Sequence, residues 1–393
     1  MVFKLIIMKA IAVKPGTPGV FLTEAPEPGA SGSELLLAPE LVGICGTDRE
    51  IISAFYGEAP PGQNMLIIGH EALCRVVEPG NSAFRKGDMV IPTVRRGCGE
   101  CWSCLHGQSD MCFTGKYKER GIKGLNGYNC ELVAEVPEYL ASVPSGIGDA
   151  AVLTEPMTIG EKAIIQSLNL QQRVKWDCGG DFSCRKALVL GTGPVGLLAA
   201  LALRIRGFEV WAADRHDDTT LRAQLLISAG VRHFNSGAGA IADLAKSVGK
   251  FDFIIEATGD AIVGLDSVPG LAPNGIMALT GIPGGAQNYQ MPAVQIMRSI
   301  VLNNAIVVGI VNANISYFRT ALLDMVEINR RFPGILDKIL SHRFSPADYS
   351  KAYSIRDREV IKVAIDWKGE GSACQGMYRL ETRSCSLRLI VII

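Results

Sequence analysis

The sequence predicts an α/β protein in two parts, a β-rich domain and a doubly wound parallel-sheet domain. Three observations carry that prediction. At 393 residues the chain exceeds what one ordinary core accommodates. From about residue 8 to residue 145, short apolar or alternating segments such as MKAIAVKPG, ELLLAPELVGICG and ALCRVVEPGNSAFRKGDMVIPTV are divided by Gly, Pro and Asp, the texture of β structure. From Lys186 onward strands alternate with helical stretches: KALVLGTG, LLAALALRIRG, EVWAADR, LRAQLLISAG, FDFIIEATG and IMALTGIPGG. Such alternation winds helices around a parallel sheet.

Taken in order, the opening MVFKLIIMKAIAVKPG is apolar but runs into an alternating strand pattern and lacks a small-residue cleavage site, so it is not read as a signal peptide. The longest apolar run, residues 187–203, is broken by Gly191, Gly193, Pro194 and Gly196, which marks a strand, a turn and a helix instead of a membrane span. After about residue 312 come helices around ISYFRTALLDMVEIN and PGILDKILS and a last strand, EVIKVAIDW. The expected division is 8–185 with 312–367 for the first domain and 186–311 for the second. Residues 368–393 fit neither rhythm and are read as an atypical tail, disordered or non-native.

Lys+Arg and Asp+Glu both number 39, with no long basic run. This argues against a nucleic-acid footprint and against electrostatic anchoring to a membrane, and leaves a small molecule as the expected partner. Eleven cysteines, an odd number with four crowded together, do not resemble the spread framework of a secreted disulfide protein. A reducing compartment, the cytoplasm, is expected.

The crowded four are Cys98, Cys101, Cys104 and Cys112, spaced C-x2-C-x2-C-x7-C in a Gly-rich stretch. Four thiolates in tetrahedral array suit zinc and leave no open position, so the site is structural. Iron–sulfur ligation is the rival, but there the fourth Cys follows after three residues and precedes Pro, whereas Phe113 follows Cys112 here. A closed site performs no reaction. The chemistry is sought instead in GICGTDRE, IIGHEAL and LTEP, which contribute Cys45, His70, Glu71 and Glu155, each read at the end of a strand-like segment. A thiolate, an imidazole and a carboxylate hold zinc with one position open for substrate.

GTGPVG, residues 191–196 (Gly191, Thr192, Gly193, Pro194, Val195, Gly196), follows a strand and opens a helix. In that context the first glycine permits the turn, the second lets backbone approach a pyrophosphate, and the third lets the helix pack closely. Eighteen residues beyond Gly196, Asp214 ends the second strand, where an acid grips ribose hydroxyls and favours NAD. Arg215 and His216 beside it suit a 2′-phosphate, so dual use of NADP is expected. Thr280, Gly281 and Ile282 end a later strand, where the nicotinamide carboxamide is expected to lie.

GICGTDREI, GHEA, RRGCGECWSCLHGQSDMC, the EP at 155, CRKALVLGTGPVG and GIVN at 309–312 occur in an order that resembles the zinc-dependent medium-chain alcohol and polyol dehydrogenases, closest to the archaeal-type glucose (aldose) 1-dehydrogenases. The resemblance spans about residues 8–367. It implies a GroES-like catalytic domain beside a Rossmann domain, and oxidation of D-glucose or a related aldose at C1 to the lactone. It places Cys45, His70 and the Glu155 carboxylate around a catalytic zinc with Glu71 beside it, the two glutamates exchanging roles. Thr47 becomes a proton relay, Glu119 and Asn312 face the sugar, and Asn312 also lies at the cofactor. The family likeness further implies a tetramer or dimer, built through the strand edge near 300–312. Val94, Ile159 and Leu302 stand where such relatives carry polar residues. A polyol or secondary alcohol is therefore the alternative substrate, and a non-catalytic nucleotide-binding protein is the alternative of a different class.

Overall fold

The computed structural model describes residues 6–284 and 288–368. Both expected architectures are present. In the β-rich part the strand Leu35–Ile44 is the hub: it pairs antiparallel with Glu71–Glu78 on one side, and on the other with Val133–Glu135 near its start and Val363–Asp366 near its end. The last described strand thus closes a sheet begun more than 300 residues earlier. Leu35 and Leu37 face one apolar core, and so do Val42 and Ile44. The change from odd to even positions follows from the irregular register between Pro39 and Leu41, where one extra residue reverses which side chains point inward. Cys45 follows directly.

The second sheet has six strands, all parallel, in the order Arg232–Asn235, Glu209–Asp214, Lys186–Leu190, Phe251–Glu256, Leu271–Leu279, Ile306–Gly309. The first strand in sequence lies centrally, and the order reverses direction beside it, which opens a crevice at the carboxyl ends of the strands. The helix Pro194–Ile205 reads LLAALAL through its middle because it is covered on every side. The sheet lies on one side, and the long helices Thr154–Leu170 and Ile315–Arg331 on the other. Those two helices, from outside the 186–311 stretch, share one continuous core with it. Gly160 makes the crossing possible, since a Cβ there would stand 2.9 Å from the Ala199 methyl.

Two sequence expectations need qualification. Cys178 and Cys184, six positions apart, form a disulfide, contrary to the expectation of a reducing compartment; Gly179 and Gly180, both at positive φ, turn the loop between them back on itself. The tail expected over 368–393 lies outside the described residues except for Lys368, whose ammonium pairs with Asp149. No helix among the described residues is long and apolar enough to cross a membrane.

Candidate active site

Cys45 caps the helix Gly46–Ile52. Its Sγ accepts a hydrogen bond from the Thr47 amide at 3.2 Å, and Asp48 reaches back to accept from the Cys45 amide at 2.9 Å, completing a capping box. The same sulfur lies 3.2 Å from His70 Nε2, close to the roughly 3.5 Å separating a sulfur and a nitrogen on one tetrahedral zinc. His70 arrives there through Gly69, whose positive φ and crowding (a Cβ would come within 2.5 Å of Asn129 and 2.7 Å of Val42) admit only glycine. The other ring nitrogen, Nδ1, stands 3.5 Å from Asp48 Oδ1. One buried carboxylate therefore orients both Cys45 and His70. Reading by motif missed Asp48, although the C-x-x-D spacing of a capping box was visible.

Glu71 opens the strand Glu71–Glu78 and pairs with Lys362, both side chains 1 % exposed. Glu155 is not at a strand end, as its LTEP context suggested, but in the first turn of the helix Thr154–Leu170. Pro156 after it fits the start of a helix as well as it fits a turn. Ligand atoms of His70, Glu71 and Glu155 lie within 4.8 Å of one another, as do those of Cys45, Asp48 and His70. The donor set of sulfur, imidazole nitrogen and carboxylate oxygen is the one zinc takes. The electrostatics agree. Burial opposes charge on His70, but Cys45 and Asp48 hold its pKa well above the ordinary value. Burial, reinforced by Glu71, pushes Glu155 up to about 7 against the pull of His70 and Lys362. Lys362, despite burial, is held charged by Glu71 and Cys45. A group of closely packed carboxyl, thiol and imidazole side chains that restrain one another in this way is what a cation resolves.

Thr47 lies beside this cluster, next to Tyr56, whose hydroxyl interacts with the Thr47 and Glu50 side chains. Glu119 and Asn312, 193 residues apart, meet: Asn312 Nδ2 donates to Glu119 Oε1 at 2.7 Å, with Asn312 in a left-handed conformation. Arg95 donates to the same oxygen through Nε and Nη2 at 3.0 and 2.9 Å, a partner absent from the sequence reading. Neither Glu119 nor Asn312 is within hydrogen-bond reach of Cys45 or His70 among the described residues. Of the three apolar positions, Val94 is buried, Ile159 half-buried and Leu302 exposed.

The four cysteines of the lobe also converge, within 4.8 Å. Gly97 is required there, since a Cβ would stand 2.6 Å from Cys104 Sγ. Although burial works against it, the Thr114 hydroxyl and amide bring Cys112 down to about 6, toward the thiolate a metal needs.

At the glycine turn, a Cβ on Gly196 would stand 1.9 Å from the Gly191 carbonyl oxygen, and Gly191 itself has φ +92°, whereas nothing lies within 4 Å of a Cβ on Gly193. The middle glycine is the open one, as an approaching pyrophosphate requires. The Thr192 hydroxyl donates to Asp214, which also accepts from the His216 amide at 2.7 Å. Arg215 is exposed. Thr280 and Gly281 are less free than expected: the Thr280 amide and hydroxyl donate to the Glu256 carbonyl at 2.9 and 2.6 Å, and Gly281 donates to the Glu256 carboxylate at 3.2 Å. That carboxylate also accepts from Thr258 and Gly259 at 2.6 and 3.0 Å, so Glu256 ties two crevice loops together. Ile282 remains exposed.

One cavity of about 310 Å³ is lined by Cys45, Arg49, Glu71, Pro156, Pro194 and Val195 among others. The metal cluster and the glycine turn therefore open into the same space, although they belong to different sheets.

Known proteins share this pair of domains. Residues 31–145 match the alcohol dehydrogenase GroES-like domain, and residues 148–367 match the glucose dehydrogenase C-terminus. Glucose 1-dehydrogenase from Methanocella arvoryzae is 39 % identical over 365 residues, covering 91 % of this chain and 99 % of the relative. Glucose 1-dehydrogenase 2 from Saccharolobus solfataricus is 37 % identical, covering 92 % and 100 %. Glucose dehydrogenase from Haloferax mediterranei, solved in complex with NADP, Zn and gluconolactone, superposes with a TM-score of 0.83 at 32 % identity, covering 91 % and 99 %. With both domains matched, nearly the full length of the relatives covered, and a sulfur–imidazole–carboxylate cluster facing a nucleotide turn, the chain belongs to the glucose 1-dehydrogenase family of zinc-dependent medium-chain dehydrogenases.

Proposed function

We propose that this chain oxidises an aldose, D-glucose first among them, at C1 to the aldonolactone, with zinc at Cys45, His70 and a glutamate and with NAD or NADP as partner. The observation that carries the reading is the shared cavity: Cys45 and Glu71 line it from one side, Pro194 and Val195 from the other. When bound, zinc lowers the pKa of the hydroxyl it holds, and the dinucleotide accepts the hydride. The protein does the rest. Asp48 keeps the Cys45 sulfur and the His70 ring in one orientation, and the Glu71–Lys362 pair gives the site a second carboxylate that can trade places with Glu155. Thr47 accepts the C1 hydroxyl proton and passes it outward past Tyr56. Glu119 and Asn312, already joined and braced by Arg95, present acceptors and donors to the remaining sugar hydroxyls. Gly191–Gly196 holds the pyrophosphate at the start of the helix Pro194–Ile205, and Asp214 takes the adenosine ribose.

A polyol or secondary alcohol is the second reading, favoured by the apolar Val94, Ile159 and Leu302 at positions where a sugar-oxidising relative is expected to carry polar residues. The four lobe cysteines, free of disulfides and converging for a metal, support a cytoplasmic setting in spite of the Cys178–Cys184 bridge. The open edge strand Ile306–Gly309, with exposed Val301, Leu302, Val307 and Val311 beside it, supports a dimer or tetramer. The decisive experiment assays aldoses, polyols and simple alcohols with NAD and NADP, before and after chelation. Lactone formation from glucose that disappears on chelation and returns with zinc is the expected result. Turnover restricted to simple alcohols would exclude the sugar, and full turnover without metal would exclude the mechanism.

A further inference from the structure

At the carboxyl ends of the nucleotide-sheet strands, Asp214 belongs to a charged trio whose other two members, His233 and Asp218, have no part in the roles above. The His233 side chain is 1 % exposed and sits between two carboxylates: Nδ1 lies 2.5 Å from Asp218 Oδ1, and Nε2 lies 3.4 Å from Asp214 Oδ1. The parallel register of Glu209–Asp214 with Arg232–Asn235, which sets Ala212 opposite His233, brings the ring there. Asp214 is also the acceptor for Thr192 and for the His216 amide, so its carboxylate is fixed at the lip of the glycine turn. Asp218, by contrast, is largely exposed.

We propose that His233 sets the balance between NAD and NADP. As a cation between Asp214 and Asp218 it leaves one net negative charge beside the adenosine ribose, and as a neutral ring it leaves two. This rests on the reading that Asp214 faces that ribose. A 2′-hydroxyl is uncharged and donates to Asp214 in either state. A 2′-phosphate carries about −1.5 to −2 near neutral pH and is repelled by every uncompensated carboxylate.

Hydrogen bonding to Asp214, opposed by burial and aided by Asp218, raises the pKa of His233 above the ordinary histidine value. Among the described residues the neighbouring guanidinium groups have other partners, and His216 is the other imidazole that acts on the Asp214 carboxylate. On the helix Leu221–Ser228, packed against this strand, Arg222 donates to the Val360 carbonyl at 2.6 Å. Arg232 pairs with Glu209 and lies over Trp211, and Asp217 pairs with Arg358. Arg215 is exposed and His216 half-buried in the loop beyond Asp214. Discrimination against NADP should therefore grow as pH rises above about 6.5, through the titration of His233.

The test measures Kd for NAD and for NADP by quenching of intrinsic fluorescence in the full chain, from pH 6 to 9. In the unmodified protein the ratio Kd(NADP)/Kd(NAD) is expected to rise about fivefold across the transition. His233→Gln should retain only the weaker trend from ionisation of the 2′-phosphate itself, near pH 6. Asp218→Asn, an exposed change that spares the fold, should move the rise to lower pH, because it removes a group that favours the imidazolium. An unaltered profile in both variants overturns the proposal. Absence of measurable binding of either dinucleotide to the unmodified protein overturns the dehydrogenase reading itself, and the proposal with it.

Discussion

The lobe draws its four cysteines from 15 consecutive residues, Cys98 to Cys112, whereas Cys45, His70, Glu71 and Glu155 come from a helix cap, a strand start and a long helix spread over 111 positions. The lobe is partly exposed and uses local turns, with Gly97 admitting Cys104 and the Cys101 amide donating to Cys98 Sγ at 3.4 Å. In the dispersed set His70 and Glu71 are buried while Cys45 and Glu155 are half-buried, and the set depends on two buried groups that are not themselves the expected ligands, Asp48 and Lys362, for its geometry and charge. A closed site can be made by a short loop curling on itself, because its ligands need only find one another. An open site must also face something else, so it is assembled from elements that the whole fold holds in register.

That contrast predicts unequal consequences. Cys45→Ser or His70→Ala should lower kcat/KM by at least about a thousandfold while the lobe keeps its ion, since Lewis acidity is worth several kcal/mol of the barrier. Metal analysis should find one zinc per chain instead of two, and loss of both ions from either variant would show that the sites are not independent. Cys104→Ser should do the reverse, lowering Tm by about 10 °C with kcat at low temperature retained within a few-fold. Calorimetry and steady-state kinetics on the same sample would separate the two sites, and an unshifted Tm would deny the lobe its structural role.

A third change probes whether the lobe and the sugar site communicate. Asp110, between Cys104 and Cys112, pairs with Lys162 at 2.6 Å and accepts from Asn314 at 2.9 Å, while its carbonyl accepts from the Arg95 that braces Glu119. Asp110→Asn should raise KM for glucose about fivefold with little change in Kd for the dinucleotide, because it loosens the support of Glu119 and leaves the glycine turn alone. Equal effects on both ligands would argue for general loosening instead.

The smallest effect concerns the helix that carries Glu155. Burial, with Asp324 nearby and in spite of Arg206, raises Glu161 to about 8. A carboxyl whose folded pKa lies above its unfolded value binds its proton more tightly in the native state. It therefore favours folding least at high pH, and its contribution is lost between about pH 4.5 and 8. Glu161→Gln should flatten that slope, gaining on the order of 1 kcal/mol at pH 8 relative to pH 5, as read from denaturant unfolding at the two pH values.

The legible parts of this protein were those with a local signature. The glycine turn announces itself because three glycines serve three steric needs within six residues, and the structure shows two of those needs as a positive φ at Gly191 and a direct clash at Gly196. The four cysteines are equally local. Asp48 was less legible: a single Asp three residues after Cys45 is common, and only the position of His70 on another strand reveals that it serves both. Arg95, Lys362 and Glu256 left no sequence signal, because each acts by contact with residues 15 or more positions away in the chain, except for the turn that Glu256 makes with Thr258 and Gly259. Glu155 was found but misplaced, since a proline after it is compatible with a helix start or a turn.

Local pattern alone therefore specified the strand and helix rhythm, the metal-ready lobe, the nucleotide turn, and the residue types suited to a second metal. These depend on sterics and chemistry within a few residues of chain. Which carboxylates surround Cys45, that Glu119 and Asn312 touch, and that the sulfur and the glycine turn share one cavity follow from two sheets packing around common helices, with the final strand returning to the first. Burial then assigns charge among groups that are strangers in sequence, because low polarity makes each buried charge depend on whichever partner the packing brings beside it.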